Sequence, residues 1–302
     1  MDNTPPHDDL ETLLPSWELA LRAERKSPAT ITSYRKGVVQ FIAWAHEQDV
    51  PAHLDRRTVR GFLVYLMDEK GVQPNTAVSR LRGLRRMGSW MVEEGELEHN
   101  PVEDVKPPTV PKKVVEPLSD EEVKALLATC KGTAFPDRRD DALIRFMVET
   151  GARATEALSL AVADVDLLQG VAVIRSGKGG KGRVVPYGSK TAQAMDRYRR
   201  ARTKHPRADS SNFWLGDRGH LFQYQGLYTS LETRSKRAGI AHVHPHRLRH
   251  TAAHRWLSAG GSEQGLMAVA GWEGPQMLGR YTKARATDRA INESRNLNLG
   301  DL

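Results

Sequence analysis

The 302-residue chain is long enough for two domains, each with a hydrophobic core of its own. Its 45 Lys and Arg residues outnumber its 37 Asp and Glu residues, and the resulting net charge of +8 favours a polyanionic partner. Cys130 is the single cysteine, which excludes an intrachain disulfide, and no apolar run approaches the roughly 20 residues that span a bilayer.

The segment that precedes Asn100 is predicted to be helical throughout. Ser27 and Pro28 form a favourable N-cap and N1 pair, and apolar residues recur at helical spacing behind them. A third helix is predicted over about residues 57–69, and a fourth begins near Asn75. The pattern indicates a helical N-terminal domain.

Four arginines lie on the fourth predicted helix: Arg80, Arg82, Arg85 and Arg86. Arg82 precedes Arg85 and Arg86 by three and four residues, so these cations share a helix face. No acidic residue follows them until Glu93. Two interpretations stay open, namely contact with a DNA backbone or groove and an ordinary solvated basic face.

The composition changes between Asn100 and Pro117, a stretch rich in proline and lysine without apolar periodicity. Such a stretch predicts an extended linker between two domains. Three lysines of this linker are candidates to follow a phosphate backbone: Lys106, Lys112 and Lys113.

Ser119 and Glu122 form an S-x-x-E capping box, which predicts the start of a new helix and of a second domain. The predicted division is therefore a helical domain over residues 1–105, a linker over 106–117 and a second domain over 118–302.

The second domain is predicted to be mostly helical with one pair of strands. The β-forming segments 171–174 and 183–186 flank a Gly-rich run, which indicates a hairpin. On such a turn Lys178 or Lys181 can swing towards a phosphate, and a lysine can also protonate a leaving alkoxide. A plain basic hairpin turn is the alternative. Helices are predicted over about residues 189–202, 223–238, 245–259, 262–270 and 287–294.

The run from Thr150 to Leu158 carries the first set of candidate site residues. Its Thr-Gly pair is predicted to end one helix, and Arg153 and Glu156 lie near the start of the next. Arg153 would offer a planar, permanently charged fork to two phosphate oxygens, with Glu156 orienting the donors behind it. An ordinary ion pair on a helix surface is the alternative.

The C-terminal part carries the remaining candidates. His246, Arg249 and His250 have helical spacing, while Trp272 and Tyr281 follow downstream. The pattern lacks H-E-x-x-H and a cysteine cluster, so a zinc site is not predicted. Taken singly, the two histidines are as typical of a hydrogen-bonded network in a protein core as of a functional site. Tyr281 taken singly is typical of a helix end.

In their order, these motifs resemble the tyrosine recombinase (phage integrase) family. The chain reads T-G-A-R-A-T-E, then G-K-G-G-K, then H-R-L-R-H, then G-W, with Tyr281 nine residues after Trp272. The four-helix segment before them is similar to that family's core-binding domain. The implied fold is mainly α with a small β-hairpin or sheet, in which a helical SAM-like domain and a catalytic domain close on DNA as a clamp.

The resemblance implies a role for each matching residue. Arg153 and Arg249 match the phosphate-clamping arginines, Lys178 the general acid for the 5′-hydroxyl, His246 the proton-transfer histidine and Tyr281 the nucleophile. Most members have His where this chain has Trp272, and an indole donates a hydrogen bond but transfers no proton. Glu156 and His250 would support this set from behind. The candidate DNA contacts are Arg80, Arg82, Arg85, Arg86, Lys106, Lys112, Lys113, Lys181 and Arg183.

The same resemblance implies site-specific recombination of double-stranded DNA through a 3′-phosphotyrosyl intermediate, without metal or cofactor. It also implies a dimer at each site, a tetramer in the synapse and a cytoplasmic, nucleoid-associated location. The C-terminal tail would dock on a neighbouring copy or on its own domain. Integration or excision of a mobile element and resolution of DNA dimers both fit. The rival interpretations are a type IB topoisomerase and a non-catalytic DNA-binding regulator of the same fold.

Overall fold

A computed structural model of the chain describes residues 10–111, 115–175, 182–272 and 274. The chain forms two compact units, Met1–Lys113 and Val114–Leu302. None of the helices in the described ranges has both the length and the hydropathy that a bilayer crossing requires.

The N-terminal unit is helical, as predicted. Its helices are α1 (Leu10–Ala23), α2 (Pro28–Glu47), α3 (Arg56–Val64), which a π-helical turn continues over Tyr65–Glu69, and α4 (Pro74–Glu93).

The start of α2 is the predicted one, because the Ser27 hydroxyl accepts a 3.1 Å hydrogen bond from the Thr30 amide. Large apolar side chains from different helices meet in one core, among them Trp17 of α1, Phe41 of α2 and Phe62 of α3. The core therefore depends on the helical periodicity that the sequence displays.

The C-terminal unit surrounds a small sheet with helices. It contains α5 (Asp120–Ala128), α6 (Phe135–Thr150), α7 (Ala154–Leu158), β1 (Val165–Asp166), β2 (Val171–Ile174), β3 (Arg183–Pro186), α8 (Ser189–Arg202), α9 (Tyr224–Ala238), α10 (Pro245–Ser258) and α11 (Glu263–Ala270). The three strands are antiparallel in the order β1-β2-β3.

Most local predictions for this unit are confirmed. The Ser119–Glu122 capping box begins α5, and the two predicted strands pair with Val173 opposite Val184. The short strand β1 was not predicted, because two residues carry too little periodicity to identify. The predicted hairpin tip over residues 176–181 and the predicted helix over 287–294 lie outside the described residues.

Candidate active site

The first part of the site is the turn between α6 and α7. Helix α6 ends at Thr150, and Gly151 takes a left-handed conformation with φ of +63° while its amide donates to the Met147 carbonyl oxygen at 3.1 Å. Glycine adopts this conformation without the strain that a Cβ atom would bring. The chain then turns, so that Arg153 precedes α7 at its N-cap.

Arg153 is held by two different parts of the domain. Its Nη1 donates to Glu156 Oε1 at 2.6 Å, and its backbone amide donates to Glu156 Oε2 at 2.8 Å. Its Nη2 donates to the carbonyl oxygen of Gly271 at 3.1 Å. About a third of the side chain, 29%, stays exposed, so the fixed guanidinium can still meet a ligand from solvent.

Glu156 is the anchor of this arrangement. Only 4% of the residue is exposed, which rules out the alternative of an ordinary ion pair on a helix surface. Besides Arg153, it accepts a 2.7 Å hydrogen bond from Arg183 Nη2. Burial raises the pKa of Glu156, but the hydrogen bonds from Arg183 and Arg153 more than compensate and lower it to about 2. The group is therefore a carboxylate at any physiological pH.

Arg249 is the more deeply placed of the two predicted clamp arginines. It lies on α10 with 5% of its surface exposed. Its Nη1 donates to the Gly151 carbonyl oxygen at 2.5 Å, and its Nη2 donates to the Ala270 carbonyl oxygen at 2.8 Å. Burial of the neighbouring Leu248 in the main core fixes the face that α10 turns inward, as the sequence predicted.

The Gly271–Trp272 turn closes the site from the other side. Gly271 follows α11 in a left-handed conformation with φ of +65°. Trp272 is buried beside Ala253 and Leu266, and the Arg249 guanidinium carbon lies 5.4 Å from its ring centroid. The indole therefore packs against the Arg249 guanidinium.

His246 lies in the first turn of α10 and is exposed, whereas Arg249 on the same helix is buried. Its ring centroid lies 6.4 Å from that of His244. His250, one turn further along, is half-buried. His246 is thus placed where an incoming substrate group can reach it, and His250 lies nearer the protein interior.

The structure brings Arg153, Glu156, Arg249 and Trp272 together around the two glycine turns, with His246 on the same helix as Arg249. Five other predicted site residues lie outside the described residues: Lys112, Lys113, Lys178, Lys181 and Tyr281.

The predicted DNA-binding arginines of α4 differ in their surroundings. Arg80 is largely buried and donates to Gln40 Oε1 at 2.6 Å, and burial lowers its pKa. Arg85 donates to the Val105 carbonyl oxygen at 2.5 Å. Arg86 pairs with Glu93 and Glu24, whereas Arg82 is exposed, as is Lys106 in the following segment.

Arg183 was predicted only as a DNA contact, and the sequence did not indicate its hydrogen bonds behind the site. It begins β3, and its side chain, 12% exposed, contacts Glu156 and also donates from Nε to the Val269 carbonyl oxygen at 2.8 Å. The strand alternation offered a signal, because Arg183 and buried Val185 are two residues apart and so share a face. The role of the glycine carbonyl groups could not be read from any motif.

Both units of the chain match known protein families. Residues 116–288 match the phage integrase family, and residues 13–94 match the N-terminal SAM-like domain of phage integrases. The chain belongs to the phage integrase family. A match over more than half of the chain confirms the resemblance that the ordered motifs indicated.

Two curated relatives and one solved structure illustrate the likeness. The chain is 30% identical to tyrosine recombinase XerC of Haemophilus influenzae (strain PittEE), over 83% of this chain and 85% of the relative. It is 32% identical to tyrosine recombinase XerD of Mycobacterium leprae (strain TN), also over 83% of this chain and 85% of the relative. The Tn1549 transposon integrase in complex with transposon right end DNA superposes with a TM-score of 0.75 at 16% identity, covering 94% of this chain and 99% of that one.

These likenesses confirm the predicted mainly helical two-domain fold and the predicted enzyme class, a site-specific recombinase. The type IB topoisomerase and the regulator are not favoured, because the curated relatives over most of the chain are recombinases.

Proposed function

We propose that this recombinase cuts double-stranded DNA by attack of Tyr281 on a phosphodiester and rejoins it by attack of a 5′-hydroxyl on the resulting 3′-phosphotyrosyl bond. One observation carries the proposal: Arg153 donates to the carbonyl oxygen of Gly271 and Arg249 donates to that of Gly151, so each arginine is fixed by a glycine turn of another motif. A pair of permanently charged forks held in this way is suited to a phosphate whose charge increases in the transition state. The bond energy is conserved in the covalent intermediate, so rejoining requires no external energy source.

Each remaining residue has a proposed task. Arg153 and Arg249 stabilise the charge on the nonbridging oxygens, and the indole of Trp272 supports them by packing and by hydrogen-bond donation. His246 assists proton transfer at the phenol, because its exposed position on α10 leaves the imidazole open to a substrate. Lys178 protonates the leaving 5′-oxygen, and Lys181 is the second candidate for that task.

We further propose that the N-terminal helical domain binds DNA at the core site. Arg82 and Lys106 are the best supported contacts among the described residues of the predicted set, because both are exposed. Arg80, Arg85 and Arg86 already hydrogen-bond within their own domain, so they would contribute to the surface potential more than to direct contacts. Lys112, Lys113 and Lys181 complete the proposed set.

Strand exchange between two duplexes requires more than one copy of the nucleophile. We therefore propose two protomers at each site and four in the synapse, acting on DNA in the cytoplasm as part of the nucleoid. The same strand exchange serves integration or excision of a mobile element and resolution of DNA dimers, and the proposal includes both.

The test is covalent trapping on nicked duplexes. The substrate is a pool of duplexes with randomised sequence, each nicked one or two bases from a candidate scissile position. After cleavage the short strand that carries the 5′-hydroxyl dissociates. It cannot rejoin, so the adduct persists. The wild-type protein is expected to give an SDS-resistant protein–DNA adduct, and Tyr281→Phe is expected to give none. Tyr224→Phe serves as the matched control and should react like the wild type, because Tyr224 is an exposed residue of α9.

Two outcomes would contradict the proposal. An adduct that survives in Tyr281→Phe would assign the nucleophile elsewhere, and the absence of any adduct with the wild type would favour a non-catalytic regulator. Relaxation of supercoiled plasmid without sequence preference or recombinant products would favour the topoisomerase.

A further inference from the structure

Arg183 occupies a position between the β-hairpin and the two halves of the site. It is the first residue of β3 and lies opposite Ile174 in the register of the sheet. Its guanidinium is directed inward, because Nε donates to the Val269 carbonyl oxygen at 2.8 Å and Nη2 donates to Glu156 Oε2 at 2.7 Å. The side chain therefore links the sheet, α7 and the last turn of α11.

The carboxylate of Glu156 transmits this link to Arg153. Its Oε2 accepts from both Arg183 Nη2 and the Arg153 backbone amide, while its Oε1 accepts from Arg153 Nη1 at 2.6 Å. Two guanidinium groups thus share one buried carboxylate. A movement of Glu156 would displace the Arg153 side chain and the start of α7 together.

Gly271 shows that the same guanidinium also shapes the second turn. A Cβ atom on Gly271 would come within 2.8 Å of Arg183 Cζ and Nη1. Because real Cβ atoms do not approach so closely, a side chain at residue 271 would have to displace the Arg183 guanidinium from its contacts with Val269 and Glu156. Gly271 in turn accepts the hydrogen bond from Arg153 Nη2. Arg183 is therefore connected to Arg153 both through Glu156 and through the Gly271 turn.

We infer that Arg183 is a positioning residue for strand cleavage, which holds Glu156 and the Gly271 turn so that the Arg153 guanidinium meets the scissile phosphate. This inference rests on the proposed function and assigns Arg183 a task inside the protein in place of direct contact with DNA. A guanidinium is needed because it supplies two directed donors in one plane, which an ammonium group does not.

The experiment compares DNA binding with single-turnover cleavage of a trapped nicked substrate. Arg183→Gln is expected to lower the cleavage rate at saturating DNA by about 10²-fold, because misplacing a reacting group by about 1 Å costs that much. Its DNA affinity, measured in a Tyr281→Phe background, is expected to stay within about threefold of the parent, since the buried guanidinium does not touch the duplex. Arg183→Lys keeps the charge without the fork and should lose about tenfold in rate.

Arg234→Gln is the matched control for loss of a buried arginine. Arg234 is 4% exposed, donates to Asp140 at 2.7 Å and to the Thr129 carbonyl oxygen at 2.6 Å, and lies in a different network of the same domain. Its variant is expected to lose stability to a similar degree while cleaving at the wild-type rate below its melting temperature. Equal loss of cleavage in both variants would reduce the role of Arg183 to general stability and overturn the inference.

Two further measurements separate positioning from other roles. Glu156→Gln combined with Arg183→Gln should cleave no more slowly than the slower single variant, because both act on Arg153 through one chain of contacts. A substrate with sulfur as the 5′ leaving atom requires no proton donor, so the Arg183→Gln defect should persist on it. Rescue by sulfur would place the defect at the proton donor and contradict the inference.

The remaining outcomes are also decisive. Arg183→Gln could instead bind DNA more weakly, with a salt dependence reduced by about one phosphate contact, and still cleave normally at saturating DNA. That result would make Arg183 a DNA contact and overturn the inference. If the wild type itself forms no adduct, the proposed function fails. If the wild type forms the adduct and Arg183→Gln forms it equally fast, only the inference fails.

Discussion

Arg153 and Gly271 are joined by a 3.1 Å hydrogen bond from the guanidinium Nη2 to the carbonyl oxygen, although 118 residues separate them along the chain. Arg249 makes a second connection of this kind, because its Nη1 donates to the carbonyl oxygen of Gly151. Each clamp arginine is thus held by the glycine turn that belongs to another motif. The two glycine turns therefore hold both arginines in the site.

Gly271→Ala is expected to destabilise the domain more than Gly239→Ala does. Both glycines follow a helix in the left-handed conformation, with φ of +65° and +67°, but a Cβ atom meets Arg183 at Gly271 and nothing within 4 Å at Gly239. The conformational strain, of order 1–2 kcal/mol, is shared by both variants. The displacement of Arg183 should add on the order of 1–3 kcal/mol at Gly271 alone.

Urea unfolding of the two variants measures this difference, and adduct formation measures its effect on the site. Gly239→Ala should cleave like the wild type, whereas Gly271→Ala should cleave slowly. Equal losses of stability would mean that the turn requires glycine for its backbone conformation and not for its proximity to Arg183.

Glu156 is expected to make the domain stable towards mild acid. Its pKa in the folded protein is lowered from 4.5 to about 2, so the carboxylate contributes stability that is fully present above pH 4.5 and is lost as the pH falls towards 2. The contribution is on the order of 3 kcal/mol. The stability difference between the wild type and Glu156→Gln should therefore narrow between pH 5 and pH 2.

Unfolding by urea at a series of pH values measures that difference. Glu232→Gln is the control, because the Glu232 side chain is 40% exposed and its pKa is lowered chiefly by the hydrogen bond from Lys236, a pair that solvent screens. A constant difference between the wild type and Glu156→Gln over this pH range would contradict the assignment.

Arg249→Lys is expected to lower the cleavage rate by about 10²- to 10³-fold, the usual cost of losing a preorganised donor of an oxyanion site. A lysine cannot reach the Gly151 and Ala270 carbonyl groups with two coplanar donors. Arg255→Lys on the same helix is the control, because Arg255 is half-exposed and pairs with Asp120 at 3.2 Å. Single-turnover cleavage of the nicked substrate compares the two, and equal rates would mean that Arg249 has no part in the chemistry.

Thr251→Val is expected to cost about 1–3 kcal/mol of unfolding free energy, the usual penalty for leaving a buried donor without its acceptor. The Thr251 hydroxyl is buried and accepts from the Leu118 amide at 2.9 Å, while it donates to the Arg247 carbonyl oxygen at 2.8 Å. Valine has the same shape and removes only the hydroxyl.

Thr203→Val is the control for this change, because Thr203 makes a similar 2.8 Å bond to the Arg200 carbonyl oxygen in an exposed position. Its unfolding free energy should change by less than about 0.5 kcal/mol. Similar losses of unfolding free energy at both positions would show that the buried bond to Leu118 contributes no more to stability than the exposed bond of Thr203.

The features that the sequence predicted well are local ones. Ser27 and Ser119 begin helices because each hydroxyl satisfies an amide of the first turn, and this requires only neighbouring residues. Strands β2 and β3 were predicted with their observed bounds, since β-forming residues flank the Gly-rich run on both sides. The order of the site motifs was sufficient to indicate the family.

The features that the sequence could not give depend on residues distant along the chain. Arg80 and Arg86 look alike in the sequence, but Gln40 of α2 and Glu24, in the turn after α1, hydrogen-bond to them. Of Arg80, Arg82 and Arg86, only Arg82 is exposed. In the sequence, Arg183 resembles the other cations of the hairpin, but in the structure its side chain contacts Glu156 and Val269. A charge pattern in the sequence shows where the cations are, but not which of them form hydrogen bonds or ion pairs within the folded domain.

Covalent attachment of Tyr281 to DNA can be located by peptide mapping of the trapped adduct after nuclease digestion of its DNA. Trypsin cleaves after Arg280 and Lys283, so the Tyr281–Lys283 peptide is expected to carry the added mass of a nucleotide 3′-phosphate. The same mass on a peptide that contains another tyrosine, such as Tyr224 or Tyr228, would contradict the assignment of Tyr281 as the nucleophile.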